Sequence, residues 1–148
     1  MNTRTWIVLA DAASARLYEQ DGPHGNWALL SELQHPESRA RESELVTDKP
    51  GRVKQSRGYR SAMEPRTPAK KLEARKFARQ LAKALEDGLL RKAYERLILV
   101  APPGFVGLLR QELSDHVRGR IAALVEKDYL HLDQQKARER LEEQLQAP

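Results

Sequence analysis

The stretch RLILVA, Arg96–Ala101, decides the fold of this chain. An unbroken apolar run of this length is typical of a strand that is covered on both faces of a sheet. The stretch TWIVLA, Thr5–Ala10, is apolar and β-rich in the same way, and it predicts a second buried strand. Residues with a helical pattern separate the two runs, so the sequence favours an α/β fold.

Two further strands are predicted after the first. Asp11–Ser14 predicts a turn, because Asp and Ser side chains bond to nearby backbone groups. Ala13–Gln20 alternates apolar and polar side chains, and a cluster of turn-forming residues separates it from Trp27–Leu33. Three consecutive strands joined by short turns predict an N-terminal antiparallel meander.

Helical patterns dominate the rest of the chain. Thr67 and Pro68 predict a helix start, with Thr as the N-cap and Pro at the first helical position. This helix is expected to fray near Gly88. The apolar residues that would face its core recur at helical spacing: Ala74, Phe77, Ala78, Leu81 and Leu85.

A second helix is predicted from the spacing of Val106, Leu109 and Leu113, followed by a strand at about 119–126. Asp133 is expected to cap a terminal helix in which Leu141 and Leu145 are four residues apart. The predicted order is βββ, loop, α, β, α, β, α. It describes an α/β mixed sheet, an antiparallel meander plus a central strand, flanked by about three helices.

The composition excludes several classes of protein. The 148 residues fit a single domain, 1–148, and include no Cys, which excludes disulfides, thiol nucleophiles and zinc–thiolate sites. No apolar run approaches the roughly 18–20 residues of a membrane span. The N-terminal apolar run is too short for the core of a signal peptide. We therefore expect a cytoplasmic protein without a membrane span.

Positive charge is concentrated in residues 49–76, which we call the basic segment. It contains ten Lys or Arg and two acids, a local net charge of +8, whereas the whole chain carries +5 and the remainder therefore −3. Such asymmetry indicates a polyanionic partner. Most of the segment belongs to a stretch without periodicity, 34–67, which we predict to be a basic flexible loop.

RNA suits this charge, because Lys and Arg neutralise phosphates and a Tyr among them can stack on a base. The next helix adds a row of cations at spacing four. The residues predicted to bind nucleic acid are Lys49, Arg52, Lys54, Arg57, Tyr59, Arg60, Arg66, Lys71, Arg75, Arg79 and Lys83.

The sequence gives fewer signs of catalysis than of RNA binding. The sequence contains no phosphate-binding loop, dinucleotide-binding or zinc-protease motif. His35 lies near a carboxylate in sequence, and such pairs serve acid–base chemistry. Asp11 could hold Mg²⁺ together with Asp48 or Asp128, although capping of its turn is the favoured interpretation. The catalytic candidates are Asp11, His35 and Gln55. The sequence favours a protein that is not an enzyme, and it predicts neither a metal site nor a cofactor.

Several segments together resemble the bacterial host attachment protein family, over nearly the full length of the chain. The resemblance implies that the protein is required for attachment to host cells. Because no secretion signal is recognised, that effect is expected to be indirect. The segments are WIVLADAASARLYE, HPESRARESELVTDKPGR, FARQLAKAL, RLILVAPPGFVGLLRQEL and EKDYLHL.

A more distant resemblance links GRVKQSRGYRSAMEP, the helix after it and RLILVAPPGF to the middle domain of archaeal and eukaryotic peptide-chain release factors. The resemblance implies a mixed sheet with helices on its faces and a loop, at about Gly51–Ala62 in this chain, that enters the ribosome. In that family the loop carries Gly-Gly-Gln, whose Gln positions water for ester hydrolysis. In this chain Val53 and Lys54 precede Gln55 in place of the two glycines.

The leading hypothesis is a non-catalytic RNA-binding domain whose partner is the ribosome or tRNA. One alternative is a hydrolase of ester or phosphoester substrates. Another is a protein-interaction module that forms a homodimer through the terminal helix, although the Leu141 and Leu145 side chains are expected to dock on the chain's own sheet.

Overall fold

The computed structural model describes residues 3–22, 25–39 and 67–146. Within these ranges the chain forms five strands, one 3-10 helix and four α-helices. In chain order they are β1 (Arg4–Ala10), β2 (Ser14–Asp21), β3 (Trp27–Gln34), the 3-10 helix (Pro36–Arg39), α1 (Pro68–Leu90), β4 (Arg96–Val100), α2 (Pro103–Glu112), α3 (Asp115–Arg118), β5 (Ile121–Val125) and α4 (Gln134–Gln146).

The strands form one mixed sheet in the order β3-β2-β1-β4-β5. β1, β2 and β3 pair antiparallel, which confirms the predicted meander, whereas β4 runs parallel to both β1 and β5. Val8 of β1, for example, lies between Leu17 of β2 and Leu99 of β4. The predicted α/β class is therefore confirmed.

Among the strands of the described residues, β3 is an outer strand of the sheet, and it carries a β-bulge. Tyr18 of β2 pairs with Leu29 and Leu17 pairs with Ser31, so Leu30 has no partner in β2. Leu29 and Leu30 are 48% and 43% exposed. An extra residue of this kind bends the strand and interrupts its ladder of hydrogen bonds.

Apolar side chains cover both faces of the sheet. On one face, helices α1, α2 and α3 pack against β1, β2 and β4, with Phe77 and Phe105 stacked at 5.9 Å between ring centroids. On the other face, Ala137 and Leu141 of α4 join residues such as Ile7. The residues of RLILVA from Leu97 to Ala101 are all buried, as predicted for a strand covered on both sides.

Most predicted element boundaries are close to the observed ones, with instructive exceptions. Residues 34–67 are not structureless throughout, because Gln34 belongs to β3 and Pro36–Arg39 form the 3-10 helix. The strand predicted at 119–126 is shorter at both ends, and α3 is an additional short helix. The prediction that both leucines of α4 dock on the sheet was wrong for Leu145, which is 46% exposed.

Helix α1 was expected to fray near Gly88, and it continues through this glycine to end at Leu90. The glycine is buried against the ring of Trp6, so packing holds the helix together at this point. The chain turns instead at Lys92, whose φ of 59° is in the left-handed region, and the Ala93 N–H donates to the Gly88 carbonyl at 2.8 Å. No helix among the described residues is long and apolar enough to cross a membrane.

Candidate functional site

The chain gathers polar side chains at one edge of the sheet, where β1, β3, β4 and β5 end and β2 begins. In open α/β sheets, ligands bind outside the carboxyl ends of the strands. A cleft of about 290 Å³ opens at this edge, and we call it the edge cleft. Its lining is Asp11, Ser14, Ala15, Arg16, Glu32, Leu33, Gln34, Arg39, Asp128, Leu130 and His131.

Asp11 is fixed in the wall of the edge cleft by the turn between β1 and β2. Its Oδ1 accepts the backbone N–H groups of Ala13 at 2.8 Å and Ser14 at 2.9 Å, which confirms the predicted capping role. The other oxygen, Oδ2, lies 3.6 Å from Nη2 of Arg39. The same guanidinium donates to Oγ of Ser14 at 3.3 Å. The carboxylate, although only 7% exposed, therefore has charged and polar partners.

The opposite wall is the turn that follows β5. Asp128 Oδ1 accepts the Leu130 N–H at 3.3 Å, and Asp128 Oδ2 lies 3.8 Å from Nδ1 of His131. Arg16 of β2 holds this wall to the sheet, because its guanidinium donates to the Leu130 carbonyl. His131 therefore lies beside Asp128. Asp133 caps α4 as predicted, because its Oδ1 accepts the Lys136 N–H at 2.8 Å.

Electrostatics distinguishes Asp11 from an ordinary surface acid. Burial raises the pKa of Asp11 above its ordinary value of 3.8. The hydrogen bonds from Ala13 and Ser14 and the charge of Arg39 act in the opposite direction, whereas the like charge of Asp128 adds to the rise of the pKa. Asp11 and Asp128 thus interact across the edge cleft. Among the described residues, however, no group of three or more His, Asp or Glu side chains could hold a metal ion.

His35 forms a pair with Glu73 that links the end of β3 to α1. Its Nε2 lies 2.8 Å from Oε1 of Glu73, and both side chains are largely buried, with 16% and 13% exposed. The hydrogen bond from His35 is the main cause that lowers the pKa of Glu73 below 4.5. The ring of His35 also stacks on Phe77 at 6.1 Å. These contacts give His35 a clear structural role as an anchor of α1.

The predicted row of cations on α1 lies on the exposed side of that helix. Lys71 and Arg75 are exposed in its first turns. Arg79 is 67% exposed and pairs with Glu112 at 3.2 Å, and Lys83 is 79% exposed and lies 3.9 Å from Asp87. Two of the four positive charges are therefore balanced locally by acids.

Buried Lys70 connects the start of α1 to the 3-10 helix. Its Nζ donates to the Ser38 carbonyl at 3.0 Å. Thr67 caps α1 as predicted, because its Oγ1 accepts the Lys70 N–H at 3.1 Å. The remaining predicted site residues lie outside the described residues: Asp48, Lys49, Arg52, Lys54, Gln55, Arg57, Tyr59, Arg60 and Arg66.

The family of this chain is identified by a match to a family model. The family model described as "Protein required for attachment to host cells" matches residues 6–141, which is most of the chain. The chain belongs to the host attachment family. No curated protein matches it. The matched region contains the sheet except for the first two residues of β1, both walls of the edge cleft and the cations of α1.

Sequence reasoning on this member of the host attachment family finds part of the edge cleft. It pairs Asp11 with Asp128 as possible ligands for Mg²⁺, and the two do line one cleft. It misses Ser14, Arg16 and Arg39. Ser14 and Arg16 could have been found from their place at the start of β2. In an antiparallel pair the start of one strand lies beside the end of the other, so these residues lie near the end of β1. Arg39 gives no signal, since the 3-10 helix is not predicted.

Proposed function

We propose that this member of the host attachment family is a non-catalytic RNA-binding domain, with the ribosome or tRNA as its target. The binding surface consists of the basic segment and the exposed cations of α1. The resemblance of this region to the middle domain of release factors supports a ribosomal target. A role in attachment to host cells would then be indirect, through the RNA that the protein binds.

One observation carries this proposal. Lys71 and Arg75 lie one turn apart on the exposed side of α1, and they directly follow the most basic part of the sequence. The bond from Lys70 to Ser38 holds the start of this helix beside the 3-10 helix. Phosphates would thus meet fixed cations on α1 as well as the charges of residues 49–66.

The paired cations do not oppose the proposal. Arg79 pairs with Glu112 and Lys83 pairs with Asp87, and in both ion pairs the cationic side chain is largely exposed. Exposed pairs of this kind contribute only about 0–1 kcal/mol to stability, so a phosphate can replace the acid at little cost. Lys71 and Arg75 should nevertheless contribute more to RNA affinity than Arg79 and Lys83.

Fluorescence anisotropy with labelled tRNA and with isolated ribosomal RNA tests the proposal. The affinity should fall steeply as the salt concentration rises, because each neutralised phosphate contributes about 0.7–0.9 to the slope of log K against log salt. The double variant Lys71→Gln/Arg75→Gln should lose about 1.4–1.8 from that slope if both side chains contact phosphates.

Lys136 and Arg140 provide a matched control. They are also exposed and one turn apart on a helix, but they belong to α4, which covers the other face of the sheet. The variant Lys136→Gln/Arg140→Gln should bind RNA as the wild type does. Binding that is absent, that does not depend on salt, or that both double variants weaken equally would refute the proposed surface.

A further inference from the structure

The edge cleft has a different charge from the surface proposed for RNA. Three acids line it, Asp11, Glu32 and Asp128, against two arginines, Arg16 and Arg39. The carboxylates therefore outnumber the guanidinium groups in this lining. A polyphosphate is a poor occupant for such a cleft, because like charges repel more strongly where water is partly excluded. The cleft therefore fits another class of ligand.

One half of the edge cleft suits a cation. Asp11 and Asp128 line the same space and repel each other, and Asp11 is held largely out of water. A buried carboxylate is stabilised when an opposite charge lies within hydrogen-bonding distance. An ammonium group placed between the two carboxylates would replace their repulsion with two attractions.

The other half suits a carboxylate. The side chain of Arg39 is 55% exposed, and its Nη2 is oriented by Ser14 Oγ at 3.3 Å and by Asp11 Oδ2 at 3.6 Å. A guanidinium has five N–H donors, so these contacts leave donors for a bidentate bond to a carboxylate. Arg16 is less available, because it donates to the Leu130 carbonyl and to the Tyr18 hydroxyl.

We propose that the edge cleft binds a small zwitterion of the α-amino acid class. The ammonium group lies between Asp11 and Asp128, and the carboxylate binds Arg39. In an α-amino acid one carbon separates the two charged groups, so their partners must be neighbours, and Asp11 Oδ2 and Arg39 Nη2 are 3.6 Å apart. A cleft of about 290 Å³ is close to the lower limit of about 300 Å³ for small-molecule sites, which suits a ligand of this size.

Isothermal titration calorimetry with the free amino acids tests this inference on the full chain. At least one of them should bind saturably at a single site. Its N-acetyl derivative and its amide each lack one of the two charges, and each should bind about tenfold more weakly or worse, because a hydrogen bond to a charged group is lost. Inorganic phosphate and MgCl₂ serve as probes for the competing ligand classes.

Two charge-removing variants locate the binding site. Asp128→Asn keeps an oxygen for the Leu130 N–H but removes the charge, and Arg39→Gln changes a largely exposed side chain. Each should weaken binding about tenfold or more. Asp115→Asn is the control, because Asp115 is 97% exposed on α3 and does not line the cleft. Urea denaturation verifies that all three variants remain folded.

Several outcomes would overturn the inference. The first is that no free amino acid binds at concentrations up to about 10 mM, which exceeds the dissociation constant of about 1 mM of a weak ligand. The second is that the derivatives that lack one charge bind as tightly as the free amino acid. The third is that phosphate displaces the amino acid. Unchanged binding in both cleft variants would also overturn it. The inference does not depend on RNA binding, so Asp128→Asn should leave the affinity for tRNA as it is.

Discussion

Replacement of Gly88 by Ala should destabilise the protein, although Ala is the better helix former. A Cβ atom at this position would lie 2.4 Å from Cη2 and 2.6 Å from Cζ3 of Trp6, and 3.2 Å from Cε1 of Tyr94. Trp6 is only 5% exposed, and its ring packs on Tyr94 at 4.6 Å between centroids. The indole therefore has to move, and it cannot move without disturbing its aromatic partner.

Opposing contributions set the expected magnitude. In a helix interior, Ala is favoured over Gly by about 1 kcal/mol. Against this, overpacking of a core costs about 1–3 kcal/mol, and a disturbed aromatic pair costs about 0.5–1.5 kcal/mol more. The free energy of unfolding of Gly88→Ala should thus fall by about 0.5–3.5 kcal/mol. That corresponds to a decrease in Tm of about 2–4 °C per kcal/mol for a chain of this size.

Gly107 of α2 supplies the matched control. A Cβ there would meet no atom within 4 Å, so Gly107→Ala should raise the free energy of unfolding by roughly 0.5–1 kcal/mol through helix propensity alone. Urea and thermal denaturation followed by circular dichroism measure both variants. If Gly88→Ala is as stable as Gly107→Ala, the close contact between the Trp6 ring and Gly88 of α1 is contradicted.

Two further predictions concern the anchoring of α1. The pKa of Glu73 is lowered, mainly by the hydrogen bond from His35, so this carboxylate contributes stability above pH 4.5 that is lost as the pH falls through its folded pKa. Urea denaturation over a pH series should therefore show a steeper loss of stability on acidification for the wild type than for Glu73→Gln, and identical profiles would contradict this role. Thr67→Ala removes the N-cap bond from the Lys70 N–H and should lower the free energy of unfolding by about 1 kcal/mol. Thr67→Ser keeps the hydroxyl and should leave the free energy of unfolding nearly unchanged. Equal stability of the Ala and Ser variants in urea denaturation would show that the cap is unimportant.

Local signals in the sequence predict most of the scaffold. The runs that form β4 and β1 are buried from Leu97 to Ala101 and from Thr5 to Ala10, and such runs are visible in the sequence without knowledge of their partners. The start of α1 follows from Thr67 and Pro68, whose roles depend only on neighbouring residues. The end of α1 was predicted only approximately, because Gly88 stays in the helix through its packing against Trp6, a residue distant in sequence.

The edge cleft is harder to predict for the same reason. Asp11, Arg39 and Asp128 are far apart in the chain, and the sheet order brings them together. A carboxylate at the end of a strand is visible in the sequence, but the carboxylate that faces it is not. Predictions on residues 40–66, and the likeness to release factors that rests largely on them, remain predictions, because those residues lie outside the described ranges.

The bulge at Leu30 has a consequence for solubility. An outer strand offers unpaired backbone groups to other chains, and a long, flat and apolar one promotes aggregation. β3 has eight residues and two exposed leucines, with Glu32 as its one charged side chain. The extra residue disrupts the flat ladder that another strand would need. Deletion of Leu30 would remove the bulge, straighten β3 and favour fibrils that assemble through this strand.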